Sequence, residues 1–334
     1  MKSIASAPGK IILFGEHFVV HGTKAILAAI DKRVTVTSSF ADSTSIWVNS
    51  ELGDIEVPVD TPPEEVESEF RPFVYLANKM ITELYNSRSD QNTSGLEITI
   101  NSDIPIGVGL GSSSACCVAA AESISGLCEP YWGFYPREKL LMAIEAEKTI
   151  FPDTSGADCT VCTYGGIIEY DKINGWRGMN EESKKNTDTS NLNLLITNSM
   201  IPHSTKRSVE KVSKFKEDNE DRFSQLCALE TKLIGEVNLA LKNKDLTTLG
   251  LKMSENQKYL EEIQVSNDTL RDMIHSLKEI SLGTKITGAG DGGCIIALVK
   301  DENMDKVPAL LPKDKECFSA KIDTKGVVWS TIEE

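Results

Sequence analysis

The sequence has little positive charge for its length. Its 35 Lys and Arg residues stand against 50 Asp and Glu residues, so the 334-residue chain carries a net charge of −15. Because affinity for a phosphate backbone needs clustered Lys and Arg, this balance argues against a nucleic acid as partner. A small polyanion can still bind an acidic chain, provided that a lysine, a magnesium ion or helix N-termini supply positive charge locally.

Long apolar runs are also missing. No stretch approaches the roughly 20 residues that cross a bilayer, and residues 1–5 lead into a strand pattern rather than a signal peptide. We therefore expect a cytoplasmic protein without a membrane partner. The eight cysteines lack the spacing of a disulfide framework, which argues against a disulfide scaffold and a structural zinc site.

The length of the chain predicts two domains, because 334 residues exceed one ordinary core. A polar segment with almost no large apolar residues runs from Arg177 to Asn191 and is typical of a surface connection. We accordingly expect an N-terminal lobe over residues 1–178 that binds ATP or another phosphate ligand. A C-terminal lobe over residues 190–334 would close on the substrate.

The apolar patterns differ between the two halves. Strand patterns occupy residues 11–14, 33–37 and 96–100, a helix pattern follows Pro63, and the small-residue segment 113–125 predicts a buried central helix. In the second half, a strand pattern at 192–196 precedes helix patterns at 204–242, 246–262 and 267–280, and strand patterns at 284–287, 294–299 and 320–322. These patterns predict an α+β fold, with a mixed α/β N-terminal lobe and C-terminal helices packed on an antiparallel sheet.

The most informative segment is a glycine-rich run that follows a strand pattern and precedes a helix pattern. It reads Pro105, Ile106, Gly107, Val108, Gly109, Leu110, Gly111, Ser112, Ser113, Ser114 and Ala115. Glycines let the backbone approach a ligand closely, and the free N–H groups of a helix N-terminus suit an anion. The run is interpreted as a phosphate cradle, although a tight strand-to-helix turn alone would give a similar pattern.

Three charged side chains are candidates for chemistry. Lys10 follows Pro8-Gly9 and is able to stabilise negative charge on a transferring phosphoryl group, unless it is a solvated surface lysine. Asp158 is either a loop cap or the base that orients a substrate hydroxyl, and a nearby Lys10 would keep it ionised. Glu147 lies on the apolar face of a helix pattern after Pro136, where either a magnesium ion or a lysine would balance its charge.

A second glycine-rich loop occupies residues 287–293, between two strand patterns of the C-terminal half. Four glycines in six positions are extreme for a simple hairpin. We interpret Gly288 and Ala289 as part of a backbone surface that closes on the ligand. Asp291 interrupts the glycines, and we interpret it as a helix N-cap that points away from the phosphates.

Together these segments resemble the three motifs of the GHMP kinase superfamily, in the same order, at residues 8–17, 105–115 and 287–293. Within the superfamily the sequence is most similar to the mevalonate kinases, at residues 16–22, 109–113, 155–158, 164–166 and 195–199. The resemblance implies a two-lobed fold with ATP between the lobes. It also implies transfer of the ATP γ-phosphate to the 5-hydroxyl of mevalonate, in isoprenoid biosynthesis.

The resemblance assigns a role to individual residues. Asp158 would be the catalytic base or hydroxyl-orienting group, with Lys10 as the neighbouring cation. Ser113 and Glu147 would ligate Mg²⁺. Glu16, His17 and Thr205 would lie near mevalonate, although the chain reads His203-Ser204-Thr205 where many mevalonate kinases have an arginine before the threonine.

Other functions on the same scaffold stay open at this point. They are phosphorylation of phosphomevalonate, phosphorylation of another hydroxyl of mevalonate, and decarboxylation of diphosphomevalonate. A phosphorylated acceptor would call for a basic cluster, and this acidic sequence shows no obvious one. The oligomeric state is also open, with a homodimer among the alternatives.

Overall fold

The fold combines two β-sheets with nine α-helices among the residues that the computed structural model describes, which are 1–87, 94–128, 133–178, 192–202, 204–311 and 314–333. The elements of the first half are β1 (Lys2–Phe14), β2 (Lys24–Ala41), β3 (Ser45–Ser50), β4 (Gly53–Pro58), α1 (Arg71–Ser87), β5 (Gly95–Ser102), α2 (Ser112–Cys128), α3 (Pro136–Lys148), α4 (Ala157–Tyr164), β6 (Ile167–Asp171) and β7 (Gly175–Gly178). Those of the second half are β8 (Leu194–Asn198), α5 (Thr205–Asp218), α6 (Glu220–Asn243), α7 (Leu246–Glu262), α8 (Asp268–Ser276), β9 (Ser281–Ile286), β10 (Cys294–Val299), α9 (Val307–Leu310), β11 (Glu316–Ala320) and β12 (Val328–Ile332).

The first sheet joins eight strands of the described chain in the order β12-β1-β2-β5-β3-β4, with β6 beside β2 and β7 beside β6. Its pairs are antiparallel except for β3 with β5. Strand β12 comes from the end of the chain, and its register runs from Lys2 opposite Ile332 to Ser6 opposite Val328. The last described residues therefore pack with the N-terminal half.

Helix α2 is the central helix that the small residues predict. It packs on β1 and β2, and it is buried over most of its length between Ser114 and Cys128. A Cβ atom at Gly126 would lie 2.3 Å from Ser3 Oγ, so the helix and the sheet approach too closely for a larger residue. The Ser123 hydroxyl donates to Ser3 O at 2.8 Å, which satisfies a polar group at this contact.

The second sheet has the order β11-β8-β10-β9 and is antiparallel throughout the described residues. Every residue of β10 is buried, while α7 and α8 pack on the neighbouring β9. The expected α+β arrangement of helices against an antiparallel sheet is confirmed.

Two details differ from the sequence prediction. The helix expected over residues 204–242 is broken between α5 and α6 at Asn219, whose φ of −142° is not helical. Its side-chain Nδ2 donates to Phe215 O at 3.1 Å and so satisfies a carbonyl at the end of α5. The expected connection at residues 177–191 lies largely outside the described residues, so the lobe boundaries stay a prediction.

No helix in the described part of the chain is long and apolar enough to cross a membrane.

Candidate active site

The glycine-rich run after β5 is a tight loop that leads into α2. Gly107, Gly109 and Gly111 have φ values of +73°, +84° and +74°, a region that residues with a Cβ atom rarely adopt. The backbone N–H of Lys10 donates to Leu110 O at 2.9 Å, and this bond ties the loop to β1. Helix α2 begins at Ser112, directly after Gly111, and a helix N-terminus suits an anion.

Lys10 and Asp158 form an ion pair beside this loop. Lys10 Nζ lies 2.9 Å from Asp158 Oδ2, with the lysine side chain 6% exposed and the aspartate side chain 35% exposed. A Cβ atom at Gly111 would lie 2.7 Å from Lys10 Cγ. The absence of a side chain at Gly111 therefore provides the space that the lysine side chain occupies. The cation and the carboxylate are therefore held together next to the glycine-rich loop.

Asp158 belongs to the first turn of α4, and its interpretation as a loop residue is wrong. The helix starts after Gly156, whose φ is +75° and whose Cβ position would lie 2.7 Å from Ile144 Cδ1. Ala157 and Val161 fix α4 on the sheet by packing in a small apolar cluster with residues of β2 and β6. Asp158 therefore lies at the N-terminal end of α4.

Glu147 is a buried carboxylate at the end of α3. It accepts hydrogen bonds from the hydroxyls of Ser114 and Thr154, the latter at 2.6 Å, and from Cys159 Sγ at 3.6 Å. Burial raises the pKa of Glu147, and the charge of Asp158 raises it further. A cation near both carboxylates would offset the energetic cost of ionising Glu147. Hard oxygen donors suit Mg²⁺, which takes one or two carboxylates besides substrate phosphates.

The cysteines around this carboxylate are packing residues. Cys159 and Cys162 form a Cys-x-x-Cys pair on α4, and Cys117 faces them from α2. All three are free and buried. Burial raises the pKa of each thiol well above its ordinary value, so they stay neutral and unreactive.

The second glycine-rich loop, between β9 and β10, reaches across to the first motif. Thr287 Oγ1 accepts from Ile12 N and donates to Ile12 O, both at 3.0 Å. His17 Nε2 lies 2.9 Å from Ala289 O. Since a carbonyl oxygen only accepts, Nε2 carries the proton, which leaves Nδ1 of the neutral ring as an acceptor. Burial lowers the pKa of His17 and favours this neutral form.

Asp291 does not cap a helix, in contrast to our interpretation. Its φ is +60°, and its backbone N–H donates to Val265 O at 2.8 Å. Its carboxylate pairs with Lys211 of α5 at 2.6 Å. The negative charge in the glycine loop is therefore balanced by a lysine rather than directed at a ligand.

A cavity of about 300 Å³ opens beside the Lys10–Asp158 pair. Glu16, His17 and Asp158 line it, as do apolar side chains of β1 and β2. Two further residues line it that were not predicted from the sequence, Tyr170 near the end of β6 and Lys172 just after it. The sequence indicates only a strand after Gly165-Gly166, and a strand pattern does not show that these two side chains point into a cavity.

Thr205 starts α5, and its side chain is exposed. It is not among the residues that line the cavity in the described structure, so its role at the substrate stays a prediction. His203 lies outside the described residues.

Comparison with known proteins agrees with this arrangement. The family model described as "GHMP kinases N terminal domain" matches residues 74–166, and the one described as "GHMP kinases C terminal" matches residues 238–309. Together the models cover the glycine cradle, Glu147, Asp158 and the second glycine loop. The chain belongs to the GHMP kinase family.

Several mevalonate kinases are similar to it along nearly the whole chain. That of Archaeoglobus fulgidus is 34% identical, over 97% of this chain and 98% of its own, and that of Thermococcus sibiricus is 31% identical over 98% of each. Among solved structures, the Methanococcus jannaschii mevalonate kinase superposes with a TM-score of 0.82 at 27% identity, covering 96% of this chain and 98% of that one. An L. major mevalonate kinase in complex with R-mevalonate superposes with a TM-score of 0.79 at 26% identity, covering 96% of this chain and 95% of that one.

Proposed function

We propose that this kinase transfers the γ-phosphate of ATP to the 5-hydroxyl of mevalonate, giving 5-phosphomevalonate and ADP. The observation that carries the proposal is the Lys10–Asp158 ion pair at the wall of the cavity, beside the glycine cradle. A phosphoryl-transfer enzyme needs this order of parts, with anion-binding loop, cation, carboxylate and acceptor pocket adjacent.

Asp158 acts on the acceptor. Its partly exposed carboxylate orients the 5-hydroxyl and takes its proton as the oxygen attacks the γ-phosphorus. The new O–P bond replaces the bond between the γ-phosphorus and the β-phosphate oxygen, and ADP leaves. Lys10 holds the Asp158 carboxylate in place before the step and stabilises the negative charge on the transferring group during it.

The cradle at residues 105–115 and the N-terminus of α2 hold the ATP phosphates in this proposal. Gly288 and Ala289 close from the opposite side, since a Cβ atom at Gly288 would lie 3.8 Å from Gly109 O across the gap. Ser113 and Glu147 would hold Mg²⁺. Bound there, the ion would neutralise charge on the phosphates.

The pocket favours mevalonate over a phosphorylated acceptor. Three carboxylates line it, those of Glu16, Asp153 and Asp158, while Lys172 is the one lysine among the described lining residues. A single substrate carboxylate can pair with Lys172, but a phosphate or diphosphate would add further negative charge. His17 Nδ1 is an acceptor for a substrate hydroxyl, and Glu16 lies at the pocket wall beside it.

The acceptor is tested by ATP-dependent ADP release with magnesium across mevalonate, phosphomevalonate, diphosphomevalonate, homoserine and galactose. The proposal predicts the largest kcat/KM for mevalonate. A larger value for phosphomevalonate, or release of CO₂ from diphosphomevalonate, would assign the chain to a sister reaction. A cytoplasmic location and a homodimer stay predictions, which cell fractionation and sedimentation equilibrium test.

A further inference from the structure

A buried charged cluster lies behind the acceptor pocket. Glu16, in the turn after β1, pairs with Lys285 of β9. Glu230 of α6 accepts a hydrogen bond from Asn256 Nδ2 of α7 at 2.8 Å. All four side chains are buried, and Glu230 is close enough to feel the charges of both Glu16 and Lys285. Four elements of the fold thus meet at one set of polar groups.

This cluster has more hydrogen-bond acceptors than donors, and more negative than positive charge when both carboxylates are ionised. Within the described residues, no hydrogen bond of normal geometry reaches Glu16 Oε2, Glu230 Oε1 or Asn256 Oδ1, and the nearby backbone N–H of Gly15 lowers the pKa of Glu230 only in part. Two ionised carboxylates and one ammonium would also leave a net negative charge in the interior, which is costly. A single proton on Glu230 removes that charge and converts one of the acceptors into a donor.

We propose that Glu230 is a positioning residue that is a neutral carboxylic acid in the active enzyme, and that its ionisation weakens the hold of Lys285 on Glu16. The inference rests on the proposed function, because Glu16 lines the cavity assigned to mevalonate. When Glu230 ionises, it competes with Glu16 for the Lys285 ammonium. Glu16 then loses its fixed position at the pocket wall, so affinity for the acceptor falls while the Lys10–Asp158 pair is untouched.

The electrostatics of the cluster agree with this role. Burial raises the pKa of Glu230 to about 7, against the opposing effect of the Asn256 hydrogen bond, and the charge of Glu16 adds to the rise. Burial likewise raises the pKa of Glu16 and lowers that of Lys285, so the interior disfavours each charge that lacks a partner.

The other titratable groups near α6 differ from Glu230 in the pH range in which they titrate. Tyr259 faces it from α7, and Cys227 lies on α6 itself; burial raises the pKa of both, away from neutrality. His21 and Lys216 contact Phe223, two turns before Glu230. Burial lowers the pKa of His21 below its ordinary 6.5, so it titrates on the acid side of Glu230.

The kinetic test follows KM for mevalonate and kcat from about pH 5 to about pH 9, a range that brackets the Glu230 titration. In the unmodified enzyme, KM rises several-fold as the pH passes about 7. Glu230→Gln, which mimics the neutral acid, removes that rise and keeps the low KM and the kcat. The control Glu220→Gln, on an exposed residue of the same helix, keeps the unmodified profile. A rise that persists in Glu230→Gln, or a flat profile in the unmodified enzyme, overturns the proposal.

A second readout does not depend on any acceptor. Infrared difference spectra between acidic and basic pH should show the C=O stretch of a protonated carboxyl group that disappears with a midpoint near 7 and is missing from Glu230→Gln. Glu230→Leu, equally uncharged, serves if the Gln variant fails to fold. Identical spectra from the unmodified protein and the folded variant contradict the proposal, even if mevalonate proves not to be the acceptor.

Discussion

Two lysine–carboxylate pairs flank the acceptor pocket, and they differ in their access to solvent. In the Lys10–Asp158 pair the carboxylate is 35% exposed, whereas the Lys285 and Glu16 side chains are 0% and 1% exposed. An accessible carboxylate is able to exchange a proton with a bound hydroxyl. A buried pair fixes geometry, as long as no neighbouring charge competes for its lysine. In our proposals, the same pairing of a lysine with a carboxylate therefore serves chemistry in one place and positioning in the other.

The largest effect should come from the accessible pair. Asp158→Asn keeps the shape of the side chain but cannot take the hydroxyl proton, so we expect kcat to fall by about 10²–10⁴-fold. ATP affinity should stay near its unmodified value, as measured by calorimetry. The control Asp221→Asn, on the exposed surface of α6, should leave both quantities unchanged. A near-normal kcat for Asp158→Asn would remove this residue from the mechanism.

Changes to the buried pair should lower the free energy of unfolding. Lys285→Met leaves the Glu16 carboxylate without its partner in the interior, and we expect the free energy of unfolding to fall by about 3–5 kcal/mol. Adding Glu16→Gln removes the stranded charge and should restore much of that loss. Urea unfolding of the two single variants and the double variant measures the coupling. Additive losses would mean that the two side chains do not interact.

In our proposal the glycine cradle links the accessible pair to the phosphates, and Gly111→Ala tests this link. The new Cβ would lie 2.7 Å from Lys10 Cγ at a φ of +74°, so the lysine must move. We expect a stability loss of about 1–3 kcal/mol from the backbone strain, together with a lower kcat. Gly175→Ala has a φ of +80° and nothing within 4 Å, so it should show the strain alone. Equal kcat values for the two variants would contradict the contact.

The smallest effect concerns the mouth of the pocket. Lys172→Met removes the cation to which the proposal assigns the substrate carboxylate, and we expect KM for mevalonate to rise roughly tenfold, the equivalent of one charge-assisted hydrogen bond. Because Lys172 does not touch the transferring phosphate in this proposal, kcat should change little. Steady-state kinetics measures both quantities, and the control is Lys242→Met, at a lysine in the last turn of α6. An unchanged KM would place the substrate carboxylate elsewhere.

The two pairs also differ in how far the sequence predicts them. Lys10, Glu147 and Asp158 stand in short motifs, with glycines or an apolar helix face beside them, and these motifs are enough to predict the pairing of Lys10 with Asp158. The partner of Glu16 is 269 residues away, and Lys285 is an ordinary residue in a strand pattern. Nothing local distinguishes a buried lysine from an exposed one on such a strand.

The fold shows the same limit. The buried central helix follows from the small residues of α2, because composition alone indicates close packing. The break at Asn219 and the pairing of β12 with β1 do not, since each depends on what the segment meets in space. Asp291 is a similar case, because its orientation is decided by Lys211, 80 residues earlier.

The position of the transferred phosphate tests the central claim most directly. Phosphorus NMR of the product formed from ATP, magnesium and mevalonate should show a single phosphomonoester coupled to the protons of carbon 5. That result would place the 5-hydroxyl against Asp158. A phosphate on the 3-hydroxyl, or inorganic phosphate with no phosphorylated mevalonate, would contradict the account of this pocket.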